Sequence, residues 1–460
     1  MTTPTGAPPP EPEASRRAGG REQALVEQRI GLVMAMIDAV GQNGYRATTV
    51  ADVIARAGVS RKTFYKHFAN KQECFVATYD LISAETLRRV AHAYRGAEGR
   101  GARAQAAIGA LFEGATESPE ALRLATVEIG ALGSVGIERR DRSIIAYQRF
   151  VVDAGESAPG EGTMPEVAAR AVVGGLNWIL YRLVSSGSRA ELLELVPDVA
   201  KWATSYYPTP PAITDYRPAD AQMRARLDGG RAPGTLAPRS PLSARRGLAR
   251  GNQNVSRSFV IHSQRERILD AVANLTAARG YSAVGIDDIA EEAAVSLQAF
   301  YEHFSDKEDA LLVAYELGHA KGLAIVQREY AAQEKWPNAV RAAIAALFRF
   351  LASEPAFAHI ALLDATTATS RTAERSNAGV NAFAQLLRPG MDNTPENARP
   401  RAVMIDAIAG GIFELCLHQA MRGRIQELPG QTVAATYIAL APFLGATQAA
   451  RVATKQSPSR

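Results

Sequence analysis

Four residues in the stretch "VSRKTFYKHF" carry chemistry suited to an anionic polymer: Arg61, Lys62, Thr63 and Lys66. A guanidinium or ammonium group can neutralise phosphate or donate to a guanine edge, and a threonine can bond phosphate or touch a thymine methyl. Such groups read sequence only if a rigid element presents them together. The rings between them, Phe64, Tyr65 and Phe68, are spaced to dock one face of a short helix on a core.

The flanking residues supply that helix and its partner. Thr49 is an N-cap residue with Asp52 three positions on, a capping box, and Val50, Val53 and Ile54 make the helix it starts apolar on one side. Gly58 allows a tight turn, and Ser60 caps the second helix. Two short helices joined this way form the helix-turn-helix pattern, whose second helix enters the major groove.

The same pattern occurs twice. Offset by 236 residues, "GYRATTVADVIARAGVSRKTFYKHFANKQECFVATYD" lies on "GYSAVGIDDIAEEAAVSLQAFYEHFSDKEDALLVAYE", and 16 of the 52 positions from Gln28 to Tyr79 are identical without a gap. The offset persists beyond the motif: Pro119 falls on Pro355, Glu128 on Asp364, and Gly174 and Gly175 on Gly410 and Gly411. A whole module is therefore duplicated.

The copies differ in charge. Ala51 to Glu73 carries five bases and two acids, +3, whereas Asp287 to Asp309 carries one base and eight acids, −7. Arg61, Lys62, Thr63 and Lys66 become Leu297, Gln298, Ala299 and Glu302, while Phe300, Tyr301, His303 and Phe304 keep the packing pattern. A −7 face is repelled by phosphate. The second copy is thus expected to fold as a DNA reader and contribute little contact, with Gln298, Tyr301, His303 and Lys307 as its remaining candidates.

"TTVADVIARAGVSRKTFYKHFANKQECF" resembles the N-terminal domain of TetR-family transcriptional regulators, in its Tyr-x-His-Phe and in the Lys that opens the next helix. The resemblance implies a three-helix DNA-binding domain followed by a helical ligand-binding and dimerisation domain, and a repressor that a small molecule releases from its operator. By position it places Thr49, Arg61, Lys62, Thr63, Tyr65, His67 and Lys71 at the DNA, beside Ser60 and Lys66. It also implies self-association through the last two helices of each module, 165–206 and 401–444, within one chain or between chains. A tandem chain departs from the usual single-module plan.

Helical periodicity runs through both copies, as in Leu32, Val33, Met36, Ile37 and Val40, and strand-like alternation is nearly absent, so the fold class is all-α. The expected organisation is a disordered tail 1–20, helix-turn-helix domain 21–71, regulatory domain 72–207, linker 208–257, acidic helix-turn-helix domain 258–307, regulatory domain 308–448 and disordered tail 449–460. The linker carries nine Arg against two Asp from Arg217 to Arg257, so it can drape over the acidic face, follow DNA phosphates, or act as a spacer.

In the regulatory halves, Phe112, Glu128, Tyr147, Asn177, Trp178 and Tyr181 set polar or aromatic groups on apolar helices and are candidate effector contacts. Their apolar surroundings favour a small hydrophobic effector.

Composition agrees. With 460 residues, 47% hydrophobic and 22% charged, the chain is long enough for several cores, and its net charge of +5 suits an anionic partner. Two cysteines without metal-ligand spacing, a polar Pro-rich start and no apolar run of membrane-spanning length point to a cytoplasmic protein. No HExxH, P-loop, GxSxG or dinucleotide motif is present, and His67 and His303 lack a nucleophile or ligand partner nearby, so neither an enzyme nor a cofactor is expected. The competing reading is a sensor or interaction module whose acidic second face binds a basic partner.

Overall fold

The computed structural model describes residues 13–156, 164–186, 192–214, 257–365, 368–392 and 402–455; among these the chain is helical throughout, without strand. The linker stretch richest in arginine lies outside the described residues.

The first reader is built from α1 (Glu13–Ala47), α2 (Val50–Ala57) and α3 (Arg61–His67), and α4 (Lys71–Arg95) leads out of it. Leu32, Met36, Val40, Val53, Phe64 and Phe68 form its core, which Leu124 and Ile129 join from below. The regulatory half follows as α5 (Arg100–Glu117), α6 (Pro119–Thr126), α7 (Ser134–Glu156), α8 (Glu166–Ser186), α9 (Val196–Thr204) and α10 (Pro211–Thr214).

The second module repeats this order: α11 (Arg257–Arg279), α12 (Ile286–Glu292), α13 (Leu297–His303), α14 (Lys307–Ala331), α15 (Trp336–Ser353), α16 (Pro355–His359), α17 (Ser370–Leu387), α18 (Pro389–Asp392), α19 (Ala402–Met421), α20 (Thr432–Leu444) and α21 (Ala446–Thr454). Helices α3, α4 and α5 fall on α13, α14 and α15 residue for residue at the 236-residue offset. Where α6 is continuous, its counterpart passes into a π-helical turn over Ile360–Asp364.

Three expected boundaries are corrected. The first helix starts at Glu13, inside the segment read as a tail. Linker residues 211–214 form α10, where Ile213 is buried and packs toward α20 and α21. The segment read as a C-terminal tail is helical to Thr454, with Ala449, Ala450 and Ala453 buried. In the second and third cases a few apolar residues within a polar stretch find a partner surface that only the folded chain supplies.

The modules meet along α8 and α19, with α9 reaching α19 and α20 reaching α8. The glycine pairs make the approach possible. A Cβ on Gly174 would strike Glu414 and one on Gly410 would strike Trp178, its equivalent; Gly175 sits on the Ala407 carbonyl and Gly411 on that of Ala171. Helix α19 is, contrary to the expectation from composition, long and apolar enough to cross a bilayer, yet most of it is buried inside the protein.

Candidate nucleic-acid interface

The local chemistry that forms the first reader is that of its caps. Asp52 N–H donates to Thr49 Oγ1 (3.2 Å) while Thr49 N–H donates to Asp52 Oδ2 (2.8 Å), closing the capping box at the start of α2. Gly58 ends that helix in the left-handed region, φ 63 and ψ 30. Ser60 Oγ then accepts from Thr63 N–H (3.1 Å), which aims the first turn of α3 outward.

Of the residues on α3, Phe64 is fully buried, and the Tyr65 ring sets its edge against Phe64 at a centroid distance of 5.3 Å while staying half exposed. Arg61, Lys62 and Lys66 are exposed, and Thr63 is half-buried. The Arg61 guanidinium stands 5.8 Å from the Tyr65 ring, so a cation and a hydroxyl-bearing ring share one edge. This is a helix with its apolar side locked and a cationic side in solvent.

Three of the expected contacts are held by the protein itself. Lys71 Nζ donates to the carbonyls of Tyr45 and Thr48, both at 2.8 Å, and lies 4.1 Å from the centroid of the Tyr45 ring. Burial lowers its pKa from the ordinary lysine value, and the ammonium ties the end of α1 to the start of α4. His67 is part-buried with Nε2 3.5 Å from Gln28 Oε1; burial, then the charges of Arg29 and Lys66, lower its pKa, favouring the neutral ring. The Thr49 hydroxyl donates to Asp52 at 2.7 Å. Arg29, unmarked by any motif, sits over Phe68 at 4.6 Å.

The second reader repeats the frame with different surface groups. Ser296 caps Ala299 at 3.1 Å, Phe300 is fully buried, and Lys307 donates to the Tyr281 and Val284 carbonyls at 3.1 and 2.9 Å. Ala294 takes the place of Gly58 and is held at φ 51, the one non-glycine residue with positive φ among the described residues. Leu297 and Tyr301 are exposed, the Gln298 amide donates to Glu302 (3.4 Å), and the buried His303 Nε2 lacks a hydrogen-bond partner. The acidic face is partly offset within its module: Arg279 pairs with Asp288 at 3.2 Å and Arg371 lies 3.8 Å from Glu308. Asp287, Glu291, Glu292 and Glu302 remain exposed on it.

The six candidate effector residues do not converge. Tyr147 and Asn177 line a cavity of 460 Å³ in the first regulatory half. Glu128 instead accepts from Tyr45 N–H (2.8 Å) and pairs with Arg123 (3.1 Å), clamping the reader to the regulatory half. Asp364 does the same for Tyr281 N–H at 3.1 Å. Phe112 is fully buried in the core. Trp178 and Tyr181 belong to the contact between modules, where Trp178 lies 6.1 Å from Phe413 and the Tyr181 hydroxyl accepts from Asn377 Nδ2 (2.8 Å). Residues such as Leu111, Leu122 and Val151 line the cavity too, but an apolar wall and an apolar core have the same sequence signature.

The described residues, all helical, thus present two helix-turn-helix units of equal frame and opposite charge. The family "Bacterial regulatory proteins, tetR family" matches residues 37–78 and again 268–314, so each module carries a segment similar to the helix-turn-helix domain of that family. Among solved structures it is similar to the fatty acid degradation regulator FadR from Bacillus halodurans (14% identity, 38% of this chain and 94% of that one, TM-score 0.35). It is similar also to FadR from Bacillus subtilis in complex with stearoyl-CoA (14%, 38% and 96%, TM-score 0.35). A TetR-like regulator from a Rhodococcus species has 17% identity over 38% of this chain and 93% of that one, with TM-score 0.31. No curated protein sequence gives a match.

Proposed function

We propose that the chain is a ligand-responsive repressor whose operator contacts come mainly from α3, with the two modules acting as an intrachain pseudo-dimer. The observation that carries this reading is the charge contrast on equal frames: +3 over the first reader and −7 over the second. Phosphate neutralisation dominates DNA affinity, so equal shapes with opposite charges do not share the work equally. Arg61, Lys62, Thr63, Tyr65 and Lys66 are the proposed contacts, with Ser60 and Thr49 orienting their helices. Lys71 and His67 contribute more through position than through direct reach.

The pairing of modules within one chain is supported by the charges along α8 and α19. Arg140 and Arg170 from the first module face the buried Glu414 of the second at 2.7 and 3.5 Å, and Arg170 also pairs with Asp141. Arg182 pairs with Asp406, the equivalent of Arg170. Two first modules packed the same way would set Arg182 against Arg170, a like-charge contact where the present chain has an ion pair. Reader one is further tied across by Arg46, which donates to the Ala368 carbonyl at 2.7 Å.

The effector site proposed is the cavity of the first module, with Tyr147 and Asn177 among its polar groups, and its occupant is a small hydrophobic molecule. The deciding experiment is a gel shift on DNA from upstream of the protein's own coding region, with wild type and with Arg61 and Lys62 both replaced by Ala. A specific shift by wild type that the double variant loses supports the reading. No specific shift by wild type overturns it in favour of a module that recruits a basic partner through the acidic face.

A further inference from the structure

The cavity in the first module and its equivalent in the second are enclosed by equivalent helices, yet their volumes are 460 Å³ and 130 Å³. Four of the substitutions between the copies bear directly on the difference. On one wall, Gly114 and Ala121 of α5 and α6 become Phe350 and Phe357; on the facing wall, Ile82 and Thr86 of α4 become Gly318 and Gly322. The exchange is reciprocal, small for large on one side and large for small on the other.

The geometry shows that these changes belong together. A Cβ on Gly318 would collide with the Phe357 ring, and one on Gly322 with the Phe350 ring. Each phenyl group therefore crosses the lumen and seats in a notch that a glycine leaves open on α14. The two rings lie 5.5 Å apart, and Tyr315 stands 6.1 Å from Phe357. Either half of the exchange alone would be costly, since large side chains without notches overpack and notches without side chains leave voids. Made together, they restore the density of a solid core. Tyr147 and Asn177, which bring a hydroxyl and an amide to the first cavity, become Phe383 and Phe413 in the second.

We infer that the second module is plugged by Phe350 and Phe357, so that the chain takes one apolar ligand, in the first module alone. The inference rests on the ligand-responsive reading above and deepens it. The first cavity is of the size that small-molecule sites have, about 300–1,000 Å³, and the second falls below it. The plugged module then serves as a fixed partner on which the ligand-bearing module reports, carrying neither basic reader nor open site.

The test is a titration of the full chain with N-phenyl-1-naphthylamine, a neutral apolar dye that fluoresces when taken out of water, with circular dichroism to verify each variant's fold. Wild type is expected to bind one dye per chain. Gly114→Phe, or Ala121→Phe, where a Cβ already exists, is expected to weaken that binding at least tenfold. Phe350→Gly with Phe357→Ala, or Phe357→Ala alone where the double variant unfolds, is expected to add a second dye per chain. Two dyes on wild type, or a single dye that both module-one variants leave in place, would overturn the inference while the ligand-site reading stands. No dye on wild type or on the opened variants would overturn that reading and the inference with it.

Discussion

Helices α3 and α13 have the same length, the same serine cap and the same buried phenylalanine, and they show solvent opposite faces: Arg61, Lys62 and Lys66 on one, Leu297, Gln298 and Glu302 on the other. The regulatory halves repeat the contrast, with an open cavity in one module and Phe350 and Phe357 across the lumen in the other. The core rings of the readers are held because a buried ring that changes size costs several kcal/mol, about 3–5 for Phe to Ala, whereas the cavity walls changed only by reciprocal exchange. Surface positions away from caps and networks cost little, within about 0.5 kcal/mol, so contact chemistry can be lost while the frame persists.

The contrast should be strongest at the DNA. Replacing Arg61 and Lys62 together by Ala should weaken operator binding about 100-fold or more, at about 1–3 kcal/mol per contact. Replacing Leu297 and Gln298 by Ala should stay within about threefold. Fluorescence anisotropy at matched salt measures both, and equal losses would erase the distinction between the readers.

The contact between modules comes next. Glu414 is buried beside Arg140 and Arg170, and Glu414→Gln takes the carboxylate from Arg140 while Arg170 keeps Asp141, a cost of about 3 kcal/mol. Asp406→Asn, which breaks the pair with the half-exposed Arg182, should cost about 1 kcal/mol or less. Urea denaturation of the two variants compares them directly.

A smaller effect separates the first helices of the readers. Burial, then Glu266 and Glu354, push Asp270 up to about 6, whereas its equivalent Met34 is uncharged. Because the folded state keeps a proton that the unfolded chain releases, stability falls as pH rises from about 4 to about 6 and stays reduced above. Asp270→Asn should therefore stabilise the protein at pH 7 by about 1–2 kcal/mol and have little effect at pH 4, as read from unfolding at both pH values.

The smallest effect concerns the turns. Ala294 sits at φ 51 where Gly58 sits at φ 63, and a Cβ there is strained by about 1 kcal/mol. Ala294→Gly should raise stability by about that amount and Gly58→Ala should lower it, each measured as a change in Tm.

Much of the readers was legible along the chain. Thr49 with Asp52, Gly58, Ser60 and the spaced rings are short-range signals, and the structure places each cap where its spacing implies. The effector candidates were harder to read, because a polar residue on an apolar helix can face a cavity, a neighbouring module or a hinge. Tyr147 and Asn177 face the cavity, Trp178 and Tyr181 face the second module, and Glu128 holds the Tyr45 amide. Lys71 was visible as a cation, but not as one committed to two backbone carbonyls.

The all-helical fold, the duplication at 236 residues, the helix-turn-helix frames and the reversal of charge between them are written in the chain, because all of these depend on residue type and local spacing. That Gly174 and Gly410 lie where the modules meet, and that Phe350 and Phe357 narrow one cavity while the other stays open, emerges from the packing of distant helices. Those outcomes depend on which side chains face each other across helices distant in the chain. A glycine and a phenylalanine become a notch and a plug only when the fold sets them opposite one another.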